Sequence, residues 1–420
     1  MTYSGPEVIA AGHICLDLFP RFTNEPGRKL GDLLRPGTLV KMGDMTFSTG
    51  GSVFNTGMAL RIFGCRVGFA AKVGDDAIGR IITDVLRRNG NADGVKVSAG
   101  EPSSYTVVLA PQGVDRVFLH CPGTNDTFVS GDIDFNLVRG ARLFHFGYPT
   151  LMDALHAEDG RELEAIFSGA KRAGAATSMD ISLPDPCSPA GRADWRAIYG
   201  RVLPKVDVFT PSIEEAFFTL DPAAYLERKA SAAGEELIEH ITPGEFRRIA
   251  GEFVKMGCAV VALKAGHNGW YLRAGDSKRL AAAGSIFSGR EKEWAGRELW
   301  CPAFAVDRIV SATGAGDVSI AAFLAALLRG AGPERCLKMA NCAGYMNLRA
   351  MDATGGLVSW DEMERVLPSL LERGVSALDG AGGWEWEKEE RLWERIGAAG
   401  ARGRDENTGG KTLWQERSQA

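Results

Sequence analysis

The chain has 420 residues, 45% of them hydrophobic and 24% charged, with a formal net charge of −5. It is long enough to bury a large core, and its mild negative balance gives no electrostatic footprint for nucleic acid or an anionic membrane surface. Eight scattered cysteines without a CxxC pair and six histidines without ligand spacing argue against a zinc or disulfide framework and fit reduced thiols in a cytoplasm.

Taken from the N-terminus, "EVIAAG" (7–12) reads as a first strand, and "VIAAGHICLDLF" has neither a basic leader nor a small-residue cleavage site. "RVGFAAKVG" (66–74) is a second strand. "SYTVVLAPQGVDRVFLH" (104–120) is two β-runs around a turn, a hairpin that suits a small lid. "ARLFHFG" (141–147), "AATSMDI" (175–181), "KVDVFTP" (205–211) and "CAVVALKAG" (258–266) continue the strands. Apolar residues at helical spacing over 160–173, 211–220 and 243–256 predict the helices between them. Such alternation predicts an α/β fold with a mostly parallel sheet and helices on both faces. Residues 221–240 form a polar helical insertion and 287–300 a charged loop with two tryptophans. The longest apolar run, "SIAAFLAALL", is about half the length of a membrane span.

The stretch "SATGAGDVSIAAFLAALLRG" (311–330) carries the chemistry. Ile320, Phe323, Leu324, Leu327 and Leu328 form one apolar helical face, so Gly314, Ala315, Gly316 and Asp317 fall in its first turn. Free amides at a helix start hold phosphate oxygens, and glycine permits their close approach. A carboxylate beside a phosphate is repulsive unless it takes the proton of an attacking hydroxyl, as phosphoryl transfer requires. The alternative is a capping aspartate worth about 1 kcal/mol, and on this stretch alone the two readings stand level.

"TGAGD" running into a small-residue helix resembles the C-terminal signature of the PfkB/ribokinase family of carbohydrate kinases. "GGSVFNTGMALRIFGCRVGFAAKVGDDAIGR" (50–80) resembles its N-terminal signature, and the likeness runs from about residue 7 to 371 in order. The resemblance implies a three-layer α/β/α sandwich with a small β-lid, and transfer of the ATP γ-phosphate to a hydroxyl with Mg2+. Asp317 is then the base, and Gly314, Ala315 and Gly316 the anion hole. Asp17 matches the aspartate that binds substrate hydroxyls. Gly50 and Gly51 match the lid hinge and Asn55 the substrate asparagine; Asp76 and Asn125 fall near the same pocket.

On the nucleotide side the resemblance implies Asp180, Lys264, Gly266, Gly269, Thr313 and Asn341, with Glu215 tied to the metal. The pattern departs from the family at Ser182 and Pro184, at Ser212 where asparagine is usual, and at Lys264 where threonine is common. Ser311 replaces an aspartate associated with a monovalent cation, which counts against potassium activation. The kinase domain is placed at 7–374 and a C-terminal tail at 375–420, helical through Trp384, Trp386, Leu392, Trp393 and Ile396 and then disordered.

The expected partners are ATP and a small sugar or sugar-like polyol, with no nucleic acid and no membrane; the lid strands permit a homodimer. A nucleoside kinase of the same family is the nearest alternative, with Phe54, Tyr105 or Phe118 stacking on a base. A ligand sensor that kept the fold is the other, favoured by the departures at Ser182, Pro184, Ser212 and Ser311 and by the Trp-rich tail, and opposed by the intact Gly314, Gly316, Asp317, Asp17 and Asn55.

Overall fold

The computed structural model describes residues 5–23, 30–111, 117–350, 354–375, 378 and 381–396. Strand β1 is Val8–Gly12, β2 Cys15–Pro20, β3 Met45–Gly50, β4 Val67–Gly74, β5 Asn91–Ser98, β6 Tyr105–Leu109, β7 Val117–Cys121 and β8 Leu143–Gly147. They are followed by β9 Ala176–Asp180, β10 Val208–Phe209, β11 Val260–Lys264, β12 Trp270–Ala274, β13 Glu298–Cys301, β14 Trp384–Glu387 and β15 Leu392–Arg395. Eleven of these form one sheet in the order β14-β15-β13-β12-β11-β10-β9-β8-β1-β4-β5. From β5 to β11 all neighbours are parallel, and β12 to β14 continue the sheet antiparallel.

The strands read as near-continuous apolar runs because both faces are covered. Val8 and Ala10 of β1, with Val260 and Ala262 of β11, enter the core on one face. Ile9, Ala11, Val261 and Leu263 enter the core on the other. The first face carries the helices Ser52–Ile62, Ala315–Leu328 and Pro333–Asn347, and the second carries Arg161–Arg172, Trp195–Val202 and Pro243–Lys255. Ala315–Leu328 is buried from Asp317 onward, with alanines at 321, 322, 325 and 326 allowing its two neighbouring helices to approach closely. Among the described residues no helix is long and apolar enough to cross a membrane.

A second sheet, β3-β2-β6-β7, stands over one end as the lid. Its register sorts its two faces. Asp17 pairs with Ser48 and Thr106, and Thr106 pairs with His120, so these four share one face. Leu18 pairs with Phe47 and Val107, and Val107 with Leu119, placing an apolar row on the back.

Two sequence expectations are corrected here. The expected tail helix is instead the hairpin β14–β15, which adds to the edge of β13, so 381–396 belongs to the main sheet and the boundary at 374 does not hold. The W-E-W-E alternation has the period of a strand, and Trp386 pairs across the hairpin with Trp393, ring centroids 5.4 Å apart. Ile396 ends the hairpin, its N–H bonded to the Gly383 carbonyl; the expected disorder of the remaining tail lies outside the described residues. The expected charged loop over 287–300 contains a helical turn, Glu291–Trp294, and runs into β13. Phe287, Trp294 and Trp300 are buried, and Trp294 meets Phe323 of the buried helix at 6.4 Å. Lys292 and Glu293 face outward, Glu298 is buried, and the aromatic residues fill the core.

Leu392 is fully buried in this hairpin. Leu392→Ala is expected to destabilise the whole protein by about 2–5 kcal/mol, read as a lower urea midpoint. An unchanged midpoint would mean that the hairpin is a detachable appendage.

Candidate active site

In parallel sheets, ligands gather at the carboxyl ends of strands where the strand order reverses. Here that place is the junction of β1 and β8, whose neighbours run outward in opposite directions along the sheet. His13 follows β1, Tyr148 follows β8, and Asp180 and Lys264 are the last residues of β9 and β11. The starts of the helices Ser52–Ile62 and Ala315–Leu328 face these ends. Gly12 at φ +115 makes the junction possible, because a Cβ there would lie 2.4 Å from the Gly147 carbonyl oxygen.

Asp317 is buried and accepts three hydrogen bonds. Asn55 Nδ2 donates to Oδ2 at 2.9 Å, the Tyr148 hydroxyl to Oδ1 at 2.6 Å, and Thr56 Oγ1 to Oδ1 at 3.5 Å. Burial pushes its carboxyl above the usual aspartate value, and the bonds from Tyr148 and Asn55 pull against that shift. Tyr148 is held at φ +63, an uncommon conformation for a bulky side chain. Its N–H donates to the Asp180 carbonyl and its hydroxyl to Asp317, which fixes the ring across the cleft. Burial and the neighbouring Asp317 raise its hydroxyl well above the ordinary tyrosine value, so it acts as a neutral donor.

The helix start is organised as an anion cradle, with one revision. Gly314 caps it at φ +73. The Ala315 N–H is taken by the Ala312 carbonyl at 3.2 Å. Of the three expected amides only that of Ala315 is engaged; those of Gly314 and Gly316, together with that of Asp317, bond no carbonyl among the described residues. Asn347 Nδ2 donates to the Thr313 carbonyl and so steadies the loop before the helix.

Beside the cradle, Lys264 Nζ lies 2.8 Å from Asp180 Oδ1 and 3.7 Å from Glu215 Oε2. Burial opposes the lysine's charge, and the two carboxylates outweigh it, leaving its pKa above the ordinary value. Burial pushes Asp180 up against the pull of Lys264. Glu215 and Ser212 cap each other: Glu215 Oε2 accepts from the Ser212 N–H at 2.6 Å, and Ser212 Oγ from the Glu215 N–H at 3.1 Å. Serine is among the best residues for that cap, which accounts for Ser212 in this position.

A cavity of about 750 Å³ opens from Lys264 and Gly316, lined also by Gly266, Gly269, Asn341 and Tyr345. Gly269, at φ +92, allows the close approach of the Cys301 carbonyl. Asn341 Nδ2 donates to the carbonyls of Cys301 and Pro302, so its amide holds the cavity wall. On the lid side, a Cβ at Gly50 would stand 2.0 Å from Asp17 Oδ2, and one at Gly51 2.6 Å from the His13 carbonyl oxygen. Burial raises the Asp17 carboxyl, with hydrogen bonds from Cys15 and Thr106 opposing.

The profile of the pfkB family of carbohydrate kinases matches residues 14–276 and 278–359. The chain belongs to that family. It is 24% identical to an uncharacterized sugar kinase of Archaeoglobus fulgidus over 71% of this chain and 98% of that one. It is 29% identical to fructokinase-2 of Solanum habrochaites over 34% of this chain and 43% of that one. A ribokinase from Arabidopsis thaliana, solved with ribose and ATP, superposes with a TM-score of 0.63 at 18% identity, covering 86% of this chain and 99% of that one. A fructokinase from Xylella fastidiosa with bound ATP gives 0.61 at 16% identity, covering 86% and 98%.

For a carbohydrate kinase, the placement of the expected residues is uneven. Asp317, Asn55, Gly50, Gly51 and Asp17 converge around the lid cleft, while Asp180, Glu215, Lys264, Gly266, Gly269 and Asn341 lie on the cavity side. Asp76 and Asn125 are both hydrogen-bonded within the fold. Asp76 caps the helix Ala77–Asn89 and accepts from Ser103 through both oxygens. Asn125 spends its amide on the N–H and carbonyl of Ile14. Tyr148, Thr56, His13 and His120 were missed by sequence reasoning; the only signal for Tyr148 and His13 was their place directly after strands flanking the order reversal.

Proposed function

We propose that this kinase transfers the γ-phosphoryl group of ATP to a hydroxyl of a small sugar or sugar-like polyol, with Asp317 as general base. The observation that carries the reading is the buried Asp317 carboxylate set between the lid cleft and the available backbone amides at a helix start. Asp317 takes the acceptor's hydroxyl proton as the oxygen bonds to the γ-phosphorus and the bond to ADP breaks. The Gly316 and Asp317 amides hold the phosphoryl oxygens, and Lys264 offsets the charge that accumulates beside them.

Asp180, Glu215 and Asp317 outnumber the single ammonium of Lys264, and their hard oxygen donors fit Mg2+. Among the described residues no group of three or more His, Cys, Asp or Glu forms a cation cage. That suits an ion carried mainly by phosphate oxygens and water; a related structure from E. coli contains ATP and Mg2+. Exposed Met45, Phe47 and Leu119 on the lid's back face support a homodimer through the lids.

A nucleoside acceptor is the second reading, and it rests on Phe118. Phe54 and Tyr105 pack on the core, whereas Phe118 is 60% exposed and, two residues from His120, lies on the same lid face. Comparing kcat/KM for free hexoses, pentoses and nucleosides with ATP separates the two. Turnover of free sugars at least about tenfold above nucleosides is expected, and turnover confined to nucleosides would overturn the choice.

A further inference from the structure

Buried polar atoms without a partner are costly, so a group of them in one place marks what a ligand would satisfy. Among the described residues, His13 Nδ1 and Nε2, Ser52 Oγ and Asn55 Oδ1 are buried and unpartnered. All lie on the 49–55 segment or on the His13 loop against it, where a Gly51 Cβ would come within 2.7 Å of His13 Nδ1. This is the seam between lid and core.

His13 reaches both sides of that seam. Its ring centroid is 5.5 Å from that of His120 on the lid and 6.0 Å from that of Tyr148, whose hydroxyl bonds Asp317. His120 is in register with Thr106 and Asp17 on the lid's polar face, and its Nδ1 lies 3.0 Å from Thr106 Oγ1. The chain of polar groups thus runs from Asp17 through the two imidazoles to Asp317.

The chemistry of this chain of groups is selective. A neutral imidazole presents one donor and one acceptor, which matches a hydroxyl, itself both donor and acceptor. Burial and the neighbouring His120 bring His13 down to about 3, and burial lowers His120, so both rings are neutral. The groups acting on His13, His120 and Asp17 include no lysine or arginine among the described residues. A phosphate ester beside Asp17 would meet a carboxylate, with no lysine or arginine acting on that group among the described residues.

We propose that His13 and His120 are the specificity-determining pair of the acceptor pocket, reading hydroxyls of an uncharged sugar or polyol and rejecting acceptors that already carry a phosphate. This rests on the kinase reading for its catalytic meaning, while the binding it describes can be measured without turnover. Lid closure brings His120 onto the ligand, and His13 satisfies its own unpaired nitrogens from the core side. The enzyme then acts on a free sugar, upstream of any reaction that consumes the sugar phosphate.

The test uses the full chain with D-fructose, D-ribose and their monophosphates, read by calorimetry without nucleotide and by initial rates with ATP. In His120→Ala the Kd and KM for the accepted free sugar should rise about tenfold or more, with kcat within about threefold, since a hydroxyl contact and not the chemistry is removed. His120→Arg should gain affinity for the monophosphate. His13→Asn should lose sugar affinity similarly, and His120, at the lid's exposed edge, keeps the test decisive if the buried variant does not fold. Unchanged Kd and KM in His120→Ala, absence of free-sugar binding, or wild-type preference for a monophosphate would each overturn the proposal. Binding of free sugar through His120 without phosphoryl transfer would leave this inference standing and sink the kinase mechanism.

Discussion

Replacing Lys264 with methionine is expected to destabilise the fold by about 3–5 kcal/mol and to abolish turnover. The ammonium is the partner of Asp180, which is buried, and it also faces Glu215. Methionine keeps most of the volume and removes the charge, so Asp180 is left desolvated and unpaired. Burial already pushes the Asp180 carboxyl up, and without Lys264 it must rise further. A carboxyl raised in the folded state costs stability as pH rises from its unfolded value through its folded one. The deficit of Lys264→Met should therefore grow as pH rises through the wild-type folded value of the Asp180 carboxyl, pushed up to about 8, measured as urea midpoints from neutral to alkaline pH. A wild-type midpoint at alkaline pH would show that the pair contributes nothing to stability.

Replacing Asp317 with asparagine should lower kcat by about a thousandfold, within the range by which positioned proton acceptors contribute. The substitution is sterically mild. An asparagine oxygen can still accept from Asn55, and its amide can donate to the Tyr148 hydroxyl, which accepts as well as donates. The backbone amides of residues 316 and 317 stay in place, so nucleotide affinity should remain within about threefold of wild type. What is lost is the acceptor for the hydroxyl proton. A ligand sensor, the other function compatible with this fold, would not depend on that carboxylate's basicity.

The helix start at Gly314–Asp317 was legible because glycine, a carboxylate and an apolar face at helical spacing are all local signals. Glu215 was legible from the family pattern and Ser212 only as a departure from it; the capping box they form accounts for the serine. Tyr148 was not legible: it meets Asp317 across 169 positions of sequence, and only the adjacency of β8 and β1 brings it there. Asp76 and Asn125 were legible as polar residues after strands and turns, but not the bonds that hold them in the fold, to Gly79, Ser103 and Ile14. The tail was misread as a helix because Trp384, Trp393 and Ile396 can be fitted to an apolar helical stripe. The unpaired edge of β13 decided for strands.

The account stands on proton transfer to Asp317 during phosphoryl transfer. The most direct measurement follows label from γ-labelled ATP into a free sugar, in wild type and Asp317→Asn, with nucleotide affinity measured on the same samples. The account predicts labelled sugar phosphate and one ADP per transfer in the wild type, and a variant that binds ATP normally yet transfers about a thousandfold more slowly. Equal transfer by both proteins would contradict it.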